Sequence, residues 1–387
     1  MIVAGIMSGT SADGINVAIV RLEDHDFETK LDFVLHKEFP FPANVRKFIL
    51  SVMNAEAKVA DLARLNVLLG ELYAEAFAKT ASEAQAGVSV IGCHGQTIYH
   101  QGEKKNFLGR PIAATWQTGE GAVLAARTGI PVVSDFRQAD MAAGGKGAPL
   151  VPFLDYMLYR HPQRGRIVQN IGGIANLSAI PAGTGAGSGP RPERVIAFDT
   201  GPGNMVIDGV MERLFHRPFD ENGKVAAKGT ILESVLKKLM RASFFRTSPP
   251  KTAGREEFGR EYVEQFVRAC GKAKREDVVA TATALTARTI SAAIRDFLPI
   301  SLHDSHGYKD MIVSGGGSRN CTLVQMLREL LPELEIKTSD AYGLPSEAKE
   351  AVAFAVLAYQ TWHRAPSSIP SATGADYPAV LGKISYP

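Results

Sequence analysis

The chain has 387 residues, 45% of them hydrophobic and 21% charged, with a formal net charge of +3. This is the balance of a globular protein with a real core, long enough for two ordinary domains or one large one. Its basic residues are scattered, which argues against a nucleic-acid arm, and it has no apolar run of about eighteen residues to span a membrane.

"MIVAGIMSG" lacks the basic region and cleavage site of a signal peptide and reads as a first strand. Two further runs, 15–23 and 30–39, have the length and content of strands. The loop between the first two strands lies in "GIMSGTSADG", residues 5–14, and holds more polar groups than a hairpin turn needs. Residues 61–80 read as a helix, with Leu62, Leu65, Leu69, Leu72, Tyr73 and Ala76 three and four apart and Asp61 as its N-cap. Residues 88–98 read as a strand entering a polar loop, 120–128 as a short helix stopped by Gly129, and 130–136 as a buried strand. A second block opens near residue 150. Residues 166–180 read as strand, glycine turn, strand, and 181–194 as a mobile Gly/Pro-rich surface loop. Residues 194–215 read as strand, glycine loop, helix, and 277–298 as a long helix. Residues 310–330 read as strand, three glycines, helix, and 346–363 as the last helix. Strands alternating with helices make an α/β protein. Both halves open with a strand–glycine loop–strand unit, which suggests duplicated domains facing one cleft.

Several loops carry groups suited to chemistry. In the opening loop, Gly9 and Gly14 let backbone approach a ligand, Ser8, Thr10 and Ser11 offer hydroxyls, and Asp13 offers a carboxylate for Mg²⁺. In "FDTGPGN", Asp199 stands at a strand end beside Gly201, Gly203 and Asn204, which open a helix whose free N–H groups attract phosphate. A general base is useful there, though an Asp at a helix start also reads as a cap. "SGGGSRN" at 314–320 suits a nucleotide lying flat on backbone, yet neither a dinucleotide fingerprint nor a Walker pattern is present. His94, Gln96, Arg137, Asp140 and Lys146 suit a hydroxyl-rich ligand. "SPPKTAGREEF" at 248–258 reads either as a loop closing over substrate or as an exposed connection. The nine histidines show no zinc spacing, and no serine-hydrolase elbow occurs. Cys93, Cys270 and Cys321 show no metal spacing, which favours a reducing, cytoplasmic home.

Together "MSGTSADG", "GCHGQTI", "TGIPVVSDFRQADMAAGGKGAPLVP", "NIGGIANLS", "FDTGPGN", "PPKTAGREEF", "GGGSRN" and "EAKEAVAFA" resemble the anhydro-N-acetylmuramic acid kinase family, in the same order and over essentially the whole chain. The resemblance implies two ribonuclease H-like α/β domains of the actin, Hsp70 and sugar-kinase type flanking an ATP-binding cleft. The first would be 1–140 with about 365–387, the second 141–364. It implies ATP and Mg²⁺, with ATP contacts from Gly9, Thr10, Ser11, Ala12, Asp13, Gly14, Ile15, Asn16, Gly172, Gly173, Gly201, Gly203, Asn204, Gly315, Gly316, Gly317 and Asn320. Asp199 would be the base, Asp13 and Glu350 would hold Mg²⁺, and His94, Gln96, Gln117, Arg137 and Asp140 would meet the sugar. The family commonly has Asp where this chain has Asn16. The implied reaction hydrolytically opens 1,6-anhydro-N-acetylmuramic acid and phosphorylates O6 in peptidoglycan recycling, in a cytoplasmic homodimer with no nucleic-acid or membrane partner. Two rivals stand beside it. A levoglucosan-type kinase would share the motifs without a pocket for the lactyl and acetyl groups. A non-catalytic ATP-binding scaffold of the same fold would have no use for Asp199, His94 and Arg137.

Overall fold

The computed structural model describes residues 1–23, 30–183, 192–298 and 307–387. Most of the 181–194 segment, read as a mobile loop, lies outside the described residues. Twelve strands run in chain order among the described residues: β1 (Ile2–Ser8), β2 (Gly14–Glu23), β3 (Lys30–Pro40), β4 (Val90–Phe107), β5 (Arg110–Thr118), β6 (Val132–Ser134), β7 (Gly165–Ile171), β8 (Ile174–Ile180), β9 (Ile196–Pro202), β10 (Tyr308–Ser314), β11 (Glu335–Thr338) and β12 (Lys383–Ser385). They form two sheets, β12-β6-β4-β1-β2-β3 with β5 on β4, and β11-β10-β7-β8-β9.

Both sheets follow one path. β1, β2 and β3 form an antiparallel meander, β4 runs parallel to β1, and β6 runs parallel to β4. β7, β8 and β9 form the same meander, β10 runs parallel to β7, and β11 runs parallel to β10. Each is a ribonuclease H-like sheet, so the likeness between the two glycine hairpins extends to whole sheets. The chain forms two compact units, 1–158 with 348–387, and 159–347. The sequence reading sets the borders at 140/141 and 364/365 instead.

Packing explains why the helix Lys349–Trp362 belongs to the first unit. Gly5 on β1 and Gly92 on β4 face each other across the strand pair. A Cβ on Gly5 would overlap the Ala351 carbonyl oxygen, and one on Gly92 the Phe354 carbonyl oxygen. With no side chain in the way, the helix lies against the sheet backbone and buries Ala351, Val352, Phe354 and Ala355. The Lys349 ammonium, 4% exposed, pairs with Asp155 at 2.7 Å. That pair ties this helix to the one at Pro152–Tyr159.

Other helices differ from the sequence reading in detail. The first long helix spans Val59–Ala84, with Leu65, Leu69, Tyr73 and Phe77 buried. Its N-cap is the extended Lys58, not Asp61. Asp61 sits in the first turn, where a negative charge suits the helix dipole, and accepts from Arg64. β4 does not break after residue 98. Pairings such as Tyr99↔Trp116 carry it on as one arm of a hairpin with β5. That hairpin closes through Leu108 and Gly109, both at positive φ. The 130–136 strand shortens to β6, because a helix begins at Phe136. In the second unit the helix Arg275–Phe297 is buried on nearly every face. No described helix is long and apolar enough to cross a membrane.

Candidate active site

In the first unit, the loop after β1 is pinned at both ends. Ser8 is buried, with its hydroxyl 2.7 Å from the Tyr73 hydroxyl and donating to the Gly95 carbonyl. Ala12 sits at φ 52 with its methyl fully buried and its N–H on the Gly9 carbonyl at 3.0 Å. A left-handed alanine carries strain that only over-determined surroundings sustain. The peg leaves Thr10 and Ser11 exposed and Gly9 open above the backbone. Asp13 is exposed and accepts from Arg46 at 2.8 Å. Gly14, Ile15 and Asn16 belong to β2. Ile15 is core, and the Asn16 side-chain oxygen lies 2.8 Å from His36 Nε2.

Behind this loop is a connected polar cluster. His94 is 4% exposed. Its Nδ1 lies 2.8 Å from the Gly95 carbonyl, and its Nε2 accepts from Arg137 Nε at 3.0 Å. Burial, then the Arg137 charge, holds the imidazole neutral, well below its ordinary value. Arg137 also donates through Nη1 to the Gly147 carbonyl at 2.7 Å. Burial pushes its guanidinium down to about 10, against the pull of Glu350 and Asp140. Gln96 donates to the Gly9 carbonyl at 3.1 Å, joining the cluster to the loop. Gln117 donates to Thr97 and Thr115. The amide oxygens of Gln96 and Gln117 are buried and have no hydrogen-bond partner among the described residues. A buried unpaired acceptor is costly, and a ligand with N–H or O–H donors would satisfy it. Asp140 differs: its oxygens accept from the Gly147 N–H at 2.8 Å and the Thr373 hydroxyl at 2.7 Å. It ties the helix Phe136–Ala142 to the loop at Gly147 and to Thr373. Glu350 opens the helix Lys349–Trp362 with its side chain accessible. Dense protein around the carboxyl raises its pKa against the pull of Arg137 and Lys349.

In the second unit, Asp199 lies inside β9 rather than at its end. It is not a helix cap, since Gly203 occupies that position. The Asp199 N–H donates to the Lys251 carbonyl at 3.0 Å, and its Oδ2 accepts the Ala253 N–H at 2.7 Å. Burial pushes its carboxyl up to about 7; the Ala253 hydrogen bond opposes this, Glu257 adds to it, and Lys251 opposes it. Thus the 248–258 segment, read as lid or connection, wraps Asp199. Sequence reasoning missed the neighbours of Asp199 in the sheet. Asn170 pairs with Asn176, and Asn176 with Asp199, across three adjacent strands. Cross-strand partners point to one face, so two amides stand in a row with the carboxylate. The motif "NIGGIAN" holds both asparagines, but only the register shows that they line up.

The glycine loops of this unit are packed against each other. The Gly172 carbonyl accepts the Asn204 N–H at 2.7 Å, and the Gly173 carbonyl accepts from Gly203 and Met205. These N–H groups at the start of the helix Asn204–Phe215 are therefore taken, which corrects the reading of a helix start free for phosphate. Gly201 has φ +148, and a Cβ there would press on Phe245 and Thr289. Gly315 and Gly317 pack against Ile171, and Gly316 is exposed, with Asn204 the nearest group to its missing Cβ. Asn320 caps the helix Cys321–Leu330 by accepting from Leu323 at 3.0 Å. Beyond that cap lies a cavity of about 610 Å³, lined among others by Ala226, Ile231, Thr322, Gln325 and Met326. No group of three metal-ligating side chains occurs among the described residues. Mg²⁺ does not need one, because it keeps waters and takes further oxygens from substrate phosphates.

The sequence profile of a family described as anhydro-N-acetylmuramic acid kinase matches residues 1–387. A Bacillus cereus protein named anhydro-N-acetylmuramic acid kinase is 44% identical over 394 residues, covering 100% of this chain and 99% of that protein. One so named from Caldanaerobacter subterraneus subsp. tengcongensis is 43% identical over 392 residues, covering 99% and 96%. Among solved structures, the xylulose kinase from Rhodospirillum rubrum superposes with a TM-score of 0.47 at 13% identity, covering 100% of this chain and 94% of that one.

Proposed function

The chain belongs to the anhydro-N-acetylmuramic acid kinase family, and on that premise we propose how its residues serve the reaction. It is an ATP-dependent kinase that phosphorylates 1,6-anhydro-N-acetylmuramic acid in cell-wall recycling. Asp199 is the general base, and the observation that carries this role is its carboxyl: half-buried, raised to about 7, with one oxygen engaged by Ala253. A base poised near neutral pH balances availability against strength. Asp199 takes a proton from water as the water oxygen bonds to C1 of the sugar. The C1–O6 bond breaks, and its electron pair stays on O6. O6 then bonds to the terminal phosphorus of ATP, and ADP leaves with the electron pair of the broken P–O bond.

Arg137 holds the sugar, since Nη2 makes no hydrogen bond to a described residue while Nε and Nη1 are fixed. The unpaired amide oxygens of Gln96 and Gln117 accept from its hydroxyl or acetamido donors. The loop at 9–13, with Thr10, Ser11 and Asp13 exposed, meets the ATP phosphates. Asp13 and Glu350 would hold Mg²⁺, which would supply charge neutralisation on the phosphates. The setting is cytoplasmic, where ATP is available and the unpaired Cys93, Cys270 and Cys321 stay reduced. The protein is a homodimer, for which the exposed Phe107, Leu108 and Trp116 of the β4–β5 hairpin offer an apolar surface. A monomer mass in sedimentation equilibrium at micromolar concentration would remove that assignment.

The deciding experiment is a coupled ADP-release assay with Mg-ATP on 1,6-anhydro-N-acetylmuramic acid and on levoglucosan in parallel. Turnover confined to the first is expected. Preference for the second would leave the mechanism but replace the substrate.

A further inference from the structure

One short segment grips Asp199 at two points. The Lys251 carbonyl takes the Asp199 N–H at 3.0 Å, and the Ala253 N–H reaches the carboxylate at 2.7 Å. Glu257 steadies the next turn by accepting the Gly254 N–H at 2.7 Å. Something must hold this segment in place, because a carboxylate oriented by a loose loop would not keep one oxygen aimed at water.

The Lys251 side chain supplies that anchor. The residue is 6% exposed, and its ammonium donates to the Phe244 carbonyl at 3.0 Å. The same nitrogen lies 4.6 Å from the ring centre of Phe297, 4.9 Å from that of Phe244 and 5.8 Å from that of Phe198. Phe198 immediately precedes Asp199 in β9, and Phe297 ends the helix Arg275–Phe297. A buried ammonium is expensive, and an apolar side chain would fill an aromatic box more cheaply. Aromatic faces recover part of that cost through cation–π attraction. The charged groups facing Lys251 are Asp296 and Asp199, and those facing Asp199 are Lys251 and Glu257. We propose that Lys251 is the positioning residue of the Asp199 base: caged by three phenyl rings, it fixes the 251–253 backbone that orients the carboxylate. This rests on Asp199 being the base.

Lys251→Met keeps the length of the side chain and removes the ammonium. The Ala253 N–H then loses its fixed place and the nearby positive charge is gone. Both changes disfavour the ionised carboxylate, so Asp199 loses its proton at higher pH. The expected result is kcat at pH 7 down at least ~10-fold. KM values for ATP and anhydrosugar should stay within about threefold, and the acid limb of the kcat–pH profile should move up by about half a pH unit or more. Unchanged kcat with an unmoved limb overturns the proposal. So does a loss shared by kcat and both KM values with the limb unmoved, because that pattern is general damage. If Lys251→Met does not fold, Phe244→Leu opens one wall of the cage and keeps the lysine. It should move kcat and the limb in the same direction by less, and no movement overturns the proposal. Asp199→Asn run alongside separates the two ideas. Turnover by that variant within tenfold of wild type removes the base itself, whereas an inactive Asp199→Asn beside an unaffected Lys251→Met removes only the positioning role.

Discussion

Asp199 holds its proton to about pH 7 because burial withholds water from the charged form, while only the Ala253 N–H and the Lys251 charge pull the other way. A base must be deprotonated to act, so kcat/KM should climb with pH and level off above an apparent pKa near 7. A flat profile from pH 5.5 to 8.5 would contradict that. Asp199→Asn should cost roughly 10²–10⁴ in kcat. Isothermal titration should show its ATP affinity within twofold of wild type, since the carboxylate is not assigned to ATP. Arg137 makes a different demand. Two of its nitrogens are committed in different directions, to His94 and to the Gly147 carbonyl. A lysine cannot serve both and still reach a ligand. Arg137→Lys should therefore raise KM for the sugar by about tenfold or more, an effect of roughly 1.4 kcal/mol, with KM for ATP unchanged. Equal rises in both would place Arg137 outside sugar binding.

Among the elements, the helix Lys349–Trp362 depends on what β1 and β4 lack. Gly5→Ala or Gly92→Ala would drive a methyl into a helix carbonyl that has no room to retreat. The loss should exceed the ~1–3 kcal/mol of ordinary overpacking, read as a fall in the urea midpoint or as insoluble protein. A stable Gly92→Ala would show that helix and sheet can part. This contact also marks where sequence reading stops. The period of apolar residues reveals a helix, and a glycine in a strand signals close approach. Neither says which helix approaches, because the partners are more than 250 residues apart. The strand–glycine–strand units and the carboxylate in "FDTGPGN" were legible because their chemistry is local. The row Asn170–Asn176–Asp199 was not, since register between strands decides it. Nor was the occupied helix start at Asn204, where the carbonyls of Gly172 and Gly173 in a distant hairpin take the N–H groups. The long β4 was hidden for another reason: beyond residue 98 its sequence is polar, and pairing with β5, not burial, makes it a strand.

For the whole molecule, two carboxyls raised to about 7 set a pH trend. Asp199 and Asp208 both titrate at about 7, Asp208 through burial and then repulsion from Asp220. Unfolded, each would titrate near ~3.9. The folded state then binds more protons between those values, so this part of stability is present below about pH 4 and is lost as pH rises to 7. Asp199→Asn removes one of the two. Its Tm should fall less than that of wild type between pH 5 and pH 8, and parallel curves would refute the shift. The two units also differ in continuity, since 159–347 is one uninterrupted stretch with its own cores. Expressed alone, 159–347 should unfold cooperatively in urea, and a non-cooperative slope would show that it needs the remainder.

That discontinuity sets an order of events on the ribosome. Synthesis runs from the N-terminus and domains fold as they emerge, so residues 1–158 appear first and yet cannot finish. The floor on which Gly5 and Gly92 stand stays bare until residues 348–387 arrive. Those last residues bring the covering helix, the Lys349 partner of Asp155, and the β12 strand that pairs with β6. The later-made second unit is complete before the earlier-made first. A chain stopped after residue 347 would therefore carry a finished second unit beside a first-unit sheet still open where residues 348–387 should cover it.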